Sequence, residues 1–442
     1  AGKGISFDGA CTKFTANGNA THPITFTGMN GADWLGMAFT DDCTSAGGTD
    51  DRHQFTHVSF NNTSDAVFQS GSRHDGTGPS CGSSTADCNT GNYTMSEVSF
   101  TDVGGIFSHG SGQGTVLSMS DFTVSGVSGA CFNFAENTVA TLMEGTVENC
   151  NTDGGAGDGA IISVTGSTAG MLHVENTTFS NSYKNFISTD LAGMFLSNVS
   201  VTNTGAQVGH AVTHNPSVGS GSTTYMYNVD ADSYATANLF AMDSMNLEDV
   251  DFGTATMALT PGGTSQTGNG PSGTSATLDT ITAGDVTMQR MHPSVFTDLT
   301  AGDVSMTGNT ITSDVLAMDN FDVGAMVVTG CGWSMKMVNP SMDRIKSSAS
   351  CTTSKNTLVI DGGSITHTST TEHAIDGRNS RITVGEVSVT SSTIGSGAEL
   401  AKARTGTDIV LIAVDLNGDD CSDENGDTGN CDYDVSSSTS NP

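Results

Sequence analysis

The sequence predicts an all-β chain wound as a right-handed parallel β-helix, a solenoid stapled by disulfides. Three observations carry this: the length, a composition of strand and turn formers, and short alternating strands that return every twenty-odd residues. At 442 residues the chain exceeds the roughly 250–300 residues at which one hydrophobic core stops growing. A solenoid escapes that limit because each repeat packs only on its neighbours. Gly fills 55 positions and only 14% of the chain is charged, against about 25% in ordinary domains. Val, Ile, Thr and Phe are common and helix formers scarce, which favours strands and turns.

The anchors of the repeat run through the chain in order. Val58-Ser59-Phe60, Val98-Ser99-Phe100, Phe122-Thr123-Val124, Gly145-Thr146-Val147, Thr178-Phe179, Val199-Ser200-Val201 and Val229-Asp230-Ala231 come first. Val250-Asp251-Phe252, Val286-Thr287-Met288, Val304-Ser305-Met306, Val387-Ser388-Val389 and Val414-Asp415-Leu416 follow. A second strand often precedes the anchor, as in Val116–Met119, Thr141–Met143, Met171–Val174 and Met194–Leu196. A short apolar patch often follows it, as in Ala66–Phe68, Gly105–Phe107, Ala160–Ile162 and Asn185–Ile187. Three short strands per coil of about 20–25 residues suit a parallel β-helix. The 19 Met are expected to fill irregular gaps in its core.

The opening adds specificity. Phe14–Gly28, with Pro23-Ile24-Thr25-Phe26-Thr27, leads to Asp33-Trp34-Leu35-Gly36-Met37-Ala38-Phe39, then to Phe55–Phe60 and Ala66–Phe68. This resembles the first coils of secreted bacterial and archaeal β-helix repeat proteins of pectin-lyase-like fold, with Met37 where that family usually has Ile. The resemblance covers about residues 5–68; the remainder, to about 416, shares the coil rhythm alone. It implies the fold and a family of surface, adhesive and carbohydrate-active members, and a fold does not choose among functions.

Ten cysteines fall in sequential pairs, read as five local disulfides: Cys11–Cys43, Cys81–Cys88, Cys131–Cys150, Cys331–Cys351 and Cys421–Cys431. The 131–150 and 331–351 gaps match one coil, so these thiols would stack within bridging reach. Metal knuckles of the C-x-x-C type are absent from the sequence. Disulfides belong to oxidising compartments, so the chain is expected to be secreted, extracellular or displayed at the cell surface, with residue 1 a mature N-terminus left by a removed signal. N-x-S/T sequons start at Asn19, Asn61, Asn62, Asn92, Asn176 and Asn198 and permit glycosylation.

The net charge of −33 excludes nucleic-acid binding, which needs clustered Lys and Arg, and disfavours anionic membranes. No apolar run is long enough to span a bilayer. Cations are the natural partners. Asp415, Asn417 and Asp419 alternate, and Asp423, Asn425 and Asp427 repeat the pattern eight residues on; alternating oxygen ligands on a turning backbone suit Ca²⁺. The expected organisation is a β-helix over 1–416 and an acidic, disulfide-clamped tail with a Ser-rich end over 417–442.

Catalytic constellations are thin. Asn151-Thr152-Asp153-Gly154 and Arg344-Ile345-Lys346 resemble the first and last signatures of polygalacturonases, but the pieces between them are missing and both read as chance. His373, Asp376, Arg378 and Arg381 form the best local set for uronate-lyase chemistry, set against a plain turn between strands. Asp41, Asp42, Asp50, Asp51, His53 and His57 make an acidic, His-bearing patch near Cys43. With no catalytic residue assigned, the expectation is a non-catalytic extracellular structural protein. It would be a filament, sheath, surface-layer or adhesin subunit that pairs end to end with itself or holds surface glycans. The alternative is a polysaccharide lyase or glycoside hydrolase acting on the β-helix face.

Overall fold

Strands with apolar residues at every second position need a covered inner face, and a partner on each edge for their backbone groups. Here both come from the neighbouring coil. The computed structural model describes residues 3–7, 13–29, 32–39, 52–70, 92–109, 115–134, 138–150, 160–164, 170–181, 185–202, 209–215, 222–240, 244–260, 275–289, 295–307, 316–348, 355–367, 372–385, 387–391, 401–404, 406–412, 415–417, 421–423 and 430–434. Among these there is no helix, and none that could cross a membrane. The chain divides into two units, Ala1–Ala241 and Met242–Pro442.

In the first unit, long strands such as Arg52–Asn61, Asn92–Val103, Val116–Val127, Val139–Cys150 and Met171–Ser180 pair in parallel, residue on residue. Val58 lies on Val98, Val98 on Phe122 and Phe122 on Gly145. The short strands Ala66–Ser70, Gly105–His109, Phe132–Phe134 and Ala160–Val164 stack as a second parallel file. This is the ladder of a parallel β-helix.

The two strands expected in front of each short one are a single strand with a one-residue bend. Val116–Val127 turns at Asp121, where φ is 51°. Equivalent bends fall at His57, Glu97, Glu144, Asn176, Asn198 and Asn228, all at φ near +50°. Asn and Asp tolerate this left-handed conformation; Glu and His adopt it at a cost of about 1–2 kcal/mol. The bend adds one residue to the alternation, so each coil presents three faces, as the sequence rhythm implies.

Inside, like stacks on like. Phe60 and Phe100 stack at 5.2 Å between ring centroids and Phe68 and Phe107 at 5.1 Å. In the second unit Met288 lies on Met306, and Met318 on Met337, all buried. Most methionines do fill the core; Met29 and Met171 lie outside it.

Cys131 and Cys150 form a disulfide with a Cα–Cα distance of 5.9 Å, and both are fully buried. They do not stack directly: Cys150 lies on Val127, while the N–H of Ile106 donates to the Cys131 carbonyl. The bridge therefore crosses a corner between coils. Cys331 is disulfide-bonded; Cys351, Cys11, Cys43, Cys81 and Cys88 lie outside the described residues.

The ladder does not stop at residue 416. Asp415–Asn417, Cys421–Asp423 and Asn430–Asp434 pair in parallel with Ser388–Ser391, Ala401–Ala403 and Asp408–Ile412. Part of the stretch read as a tail is thus another coil. Its side chains, including those of Cys421 and Cys431, lie outside the described residues.

Candidate functional site

In the second unit the strands Ser341–Ser348, Ile375–Arg378 and Ala401–Ala403 lie side by side. Ile345, Ile375, Ala401 and Ala403 face inward and are fully buried, so alternation turns the residues between them outward. The register sets Lys346 beside Asp376 and Asp376 beside Lys402, with Ser348 beside Arg378. Arg344 lies two residues before Lys346, and Arg404 directly follows Ala401–Ala403. Five of the chain's 14 Lys and Arg therefore meet on three adjacent strands of a molecule carrying −33.

The side chains enclose a cleft of about 220 Å³ lined by Arg344, Lys346, Glu372, His373, Asp376 and Arg404. It adjoins a second hollow of about 240 Å³ that adds Ser347, Ser348 and Arg378. Asp376 is the fixed acid at its centre: Arg404 Nε donates to Oδ1 at 2.7 Å and Nη2 to Oδ2 at 3.2 Å. That two-point grip positions the guanidinium as well as neutralising the carboxylate. Gly377 lets the strand lie close, since a Cβ there would come within 2.6 Å of Thr407 Cγ2. Arg344 pairs with Glu372, and its buried Nε has no hydrogen-bond partner among the described residues. Behind them His367, 1% exposed, donates from Nε2 to the Glu372 carbonyl at 2.6 Å.

The arrangement can hold anionic groups side by side: Arg supplies forked donors for carboxylate, sulfate or phosphate, and Lys a point charge. The structure unites Arg344 and Lys346, which the sequence left as a chance match, with His373, Asp376 and Arg378. Arg381 is not part of it: Asn379, at φ 49°, turns the chain, and Arg381 faces Asp408 at 3.7 Å instead. Lys402 and Arg404 were missed. A signal existed, because eight of the 14 cations lie within residues 336–404. Asp153 lies outside the described residues.

Of the acidic patch near Cys43, the described residues are His53 and His57. His53 is buried, its ring 4.1 Å from Phe39 and its Nδ1 accepting from the Phe14 N–H. His57 stands at the bend and meets Glu97 at 2.7 Å. Asp41, Asp42, Asp50 and Asp51 lie outside the described residues. The same holds for Asp419, Asn425 and Asp427 and for the side chains of Asp415, Asn417 and Asp423. Among the described residues no three His, Cys, Asp or Glu are grouped to hold a metal.

Next to His57 and Glu97 the bend carries Asp121 and Glu144; a hydrogen bond and the charge of Asp121 raise the Glu144 carboxyl above its usual range. Higher in the same file the sequon residues Asn176 and Asn198 serve the fold. Asn198 Nδ2 donates to Asn176 Oδ1 at 2.9 Å, and Asn228 Nδ2 to Asn198 Oδ1 at 2.9 Å. Asn19 accepts from the backbone of Thr21 and His22, and Asn62 Nδ2 donates to Thr27 at 3.3 Å. Asn61 and Asn92 lie on strands.

Comparison of the chain with protein-family models, curated proteins and solved structures returns no match.

Proposed function

We propose that the chain is an extracellular β-solenoid of adhesive type, akin to the surface members of the pectin-lyase-like fold, that grips an acidic polysaccharide in its basic cleft without cleaving it. One observation carries the reading: five cations converge on three neighbouring strands of a strongly acidic molecule. Such a focus attracts polyanions while the surrounding charge repels them, so binding is local. The buried Cys131–Cys150 bridge suits an oxidising compartment.

The test is binding of polygalacturonate and of heparin to the full chain at two salt concentrations. Salt-sensitive binding of either, weakened at least about tenfold in K346Q/R378Q, is the expected result. Equal binding by the double variant sinks the reading.

Cleavage by β-elimination is the second reading, favoured by Lys346 and His373 lining the same cleft as Arg344 and Arg404. A lysine can serve as base beside an arginine-neutralised uronate carboxylate. Appearance of unsaturated chain ends in the same mixture selects it.

A further inference from the structure

Four positions on two neighbouring strands form a rectangle at the second hollow of the cleft. Lys346 and Ser348 lie on Ser341–Ser348, and the register sets Asp376 beside Lys346 and Arg378 beside Ser348. All four line that hollow. The cations occupy one diagonal and the oxygen-bearing side chains the other. Strands about 4.8 Å apart with a rise of about 3.3 Å per residue put the Cα atoms of Lys346 and Arg378 roughly 8 Å apart. Both residues are exposed, and neither side chain has an ion pair or hydrogen bond among the described residues. Asp376 is already engaged: each of its oxygens accepts from Arg404, and each keeps a second acceptor position.

We propose that the cleft recognises a polysaccharide whose acidic group recurs on every second sugar, with a neutral sugar between; this rests on the reading of the cleft as a polyanion site. The diagonal takes two anionic groups, one on the Lys346 ammonium and one in the fork of Arg378. Between them the ligand passes over Asp376 and the Ser348 hydroxyl, which accept from hydroxyl or amide donors. A neutral sugar supplies such donors. An acidic sugar in its place sets a second carboxylate beside Asp376, whose arginine already grips it at two points, and like charges side by side are penalised. Two attractive corners and one repulsive corner thus select the order anion, donor, anion. Charge density ranks ligands the other way: a polyuronate is acidic at every sugar, and general attraction to a basic focus favours it.

The experiment compares two hexasaccharides on the full chain by calorimetry at one salt concentration. Hexagalacturonate is acidic at every sugar, and a hyaluronate hexasaccharide at alternate sugars. The hyaluronate fragment is expected to bind about fivefold tighter despite its lower charge, the worth of one exposed charge contact. K346Q and R378Q each weaken it about fivefold; both positions are exposed, so the fold is not at stake. D376N is expected to erase the preference, because hexagalacturonate gains. If D376N alters the circular dichroism of the fold, the wild-type comparison and the two cation variants carry the test. Equal or tighter binding of hexagalacturonate, or binding of polygalacturonate with neither hexasaccharide, overturns the alternation and leaves the cleft standing. A loss in only one of the two cation variants overturns the two-point grip. A preference that survives intact in a folded D376N has another source and overturns the proposal. No binding of either hexasaccharide, polygalacturonate or heparin to any variant removes the cleft reading, and the alternation with it.

Discussion

Lys346 and Asp376 are 30 residues apart in sequence and directly beside each other on neighbouring strands, and Arg404 reaches the same Asp376 from the next coil at 2.7 Å. A single carboxylate thereby sits beside a lysine of one coil and is gripped by an arginine of another. Asp376→Asn removes the charge and leaves Arg404 half-buried without its acid. The expected loss is about 2 kcal/mol, read as a lower urea midpoint at unchanged slope. An unchanged midpoint means the pair is only a surface contact.

His214 sets a pH limit on the first unit. It is fully buried, with Nδ1 on Thr224 Oγ1 at 2.6 Å and Nε2 on the Leu191 carbonyl at 2.8 Å. Burial lowers its pKa to about 4 from an ordinary 6.5. The unfolded chain thus takes up a proton first as pH falls. Stability is unaffected above about pH 6.5 and falls by about 3 kcal/mol on the way to pH 4. The difference between wild type and His214→Gln across that range isolates the effect; a pH-independent difference contradicts it.

Removing the corner bridge is expected to cost about 3 kcal/mol, from the 19-residue loop it closes. Cys131→Ala/Cys150→Ala tested by urea denaturation, without reductant, measures it. Wild type treated with reductant should move toward the double variant.

At the bends, conformation outweighs side-chain size. Asn198 stands at φ 52° and hydrogen-bonds to Asn176 and Asn228. Asn198→Ala loses both bonds and keeps the strain, whereas Asn198→Gly loses the bonds and relieves it. Glycine should be the milder change by about 1 kcal/mol, the reverse of the usual order in strands. Glu144→Asn, in the same file, should raise the urea midpoint, since it removes a like charge beside Asp121 and adopts φ 55° more readily.

The repeat was legible because inward residues announce themselves in triads such as Val98-Ser99-Phe100 and Phe122-Thr123-Val124, which the structure stacks in register. The pairing of Cys131 with Cys150 was legible from their spacing of about one coil, although the bridge crosses a corner and does not join a stacked pair. The bends were not: a Glu or His at positive φ looks like any strand residue, and only the neighbouring coils force that conformation. The cleft was half legible. Asp376 and Arg378 are two residues apart in sequence, but Lys346, Lys402 and Arg404 join them only through cross-coil register. Unequal connections obscure that register: Val116 and Val139 are 23 residues apart, Val139 and Met171 32.

The same inequality makes the cleft evolvable. Its cations arrive on separate coils, so connections outside the paired strands between Ser341–Ser348, Ile375–Arg378 and Ala401–Ala403 are free to lengthen or shorten between lineages without moving a charge. One residue lost inside Ser341–Ser348 is another matter: every side chain beyond it changes face, and Lys346 would be driven into the core. Descendants of this chain should therefore diverge freely in coil length while conserving the parity of three short strands.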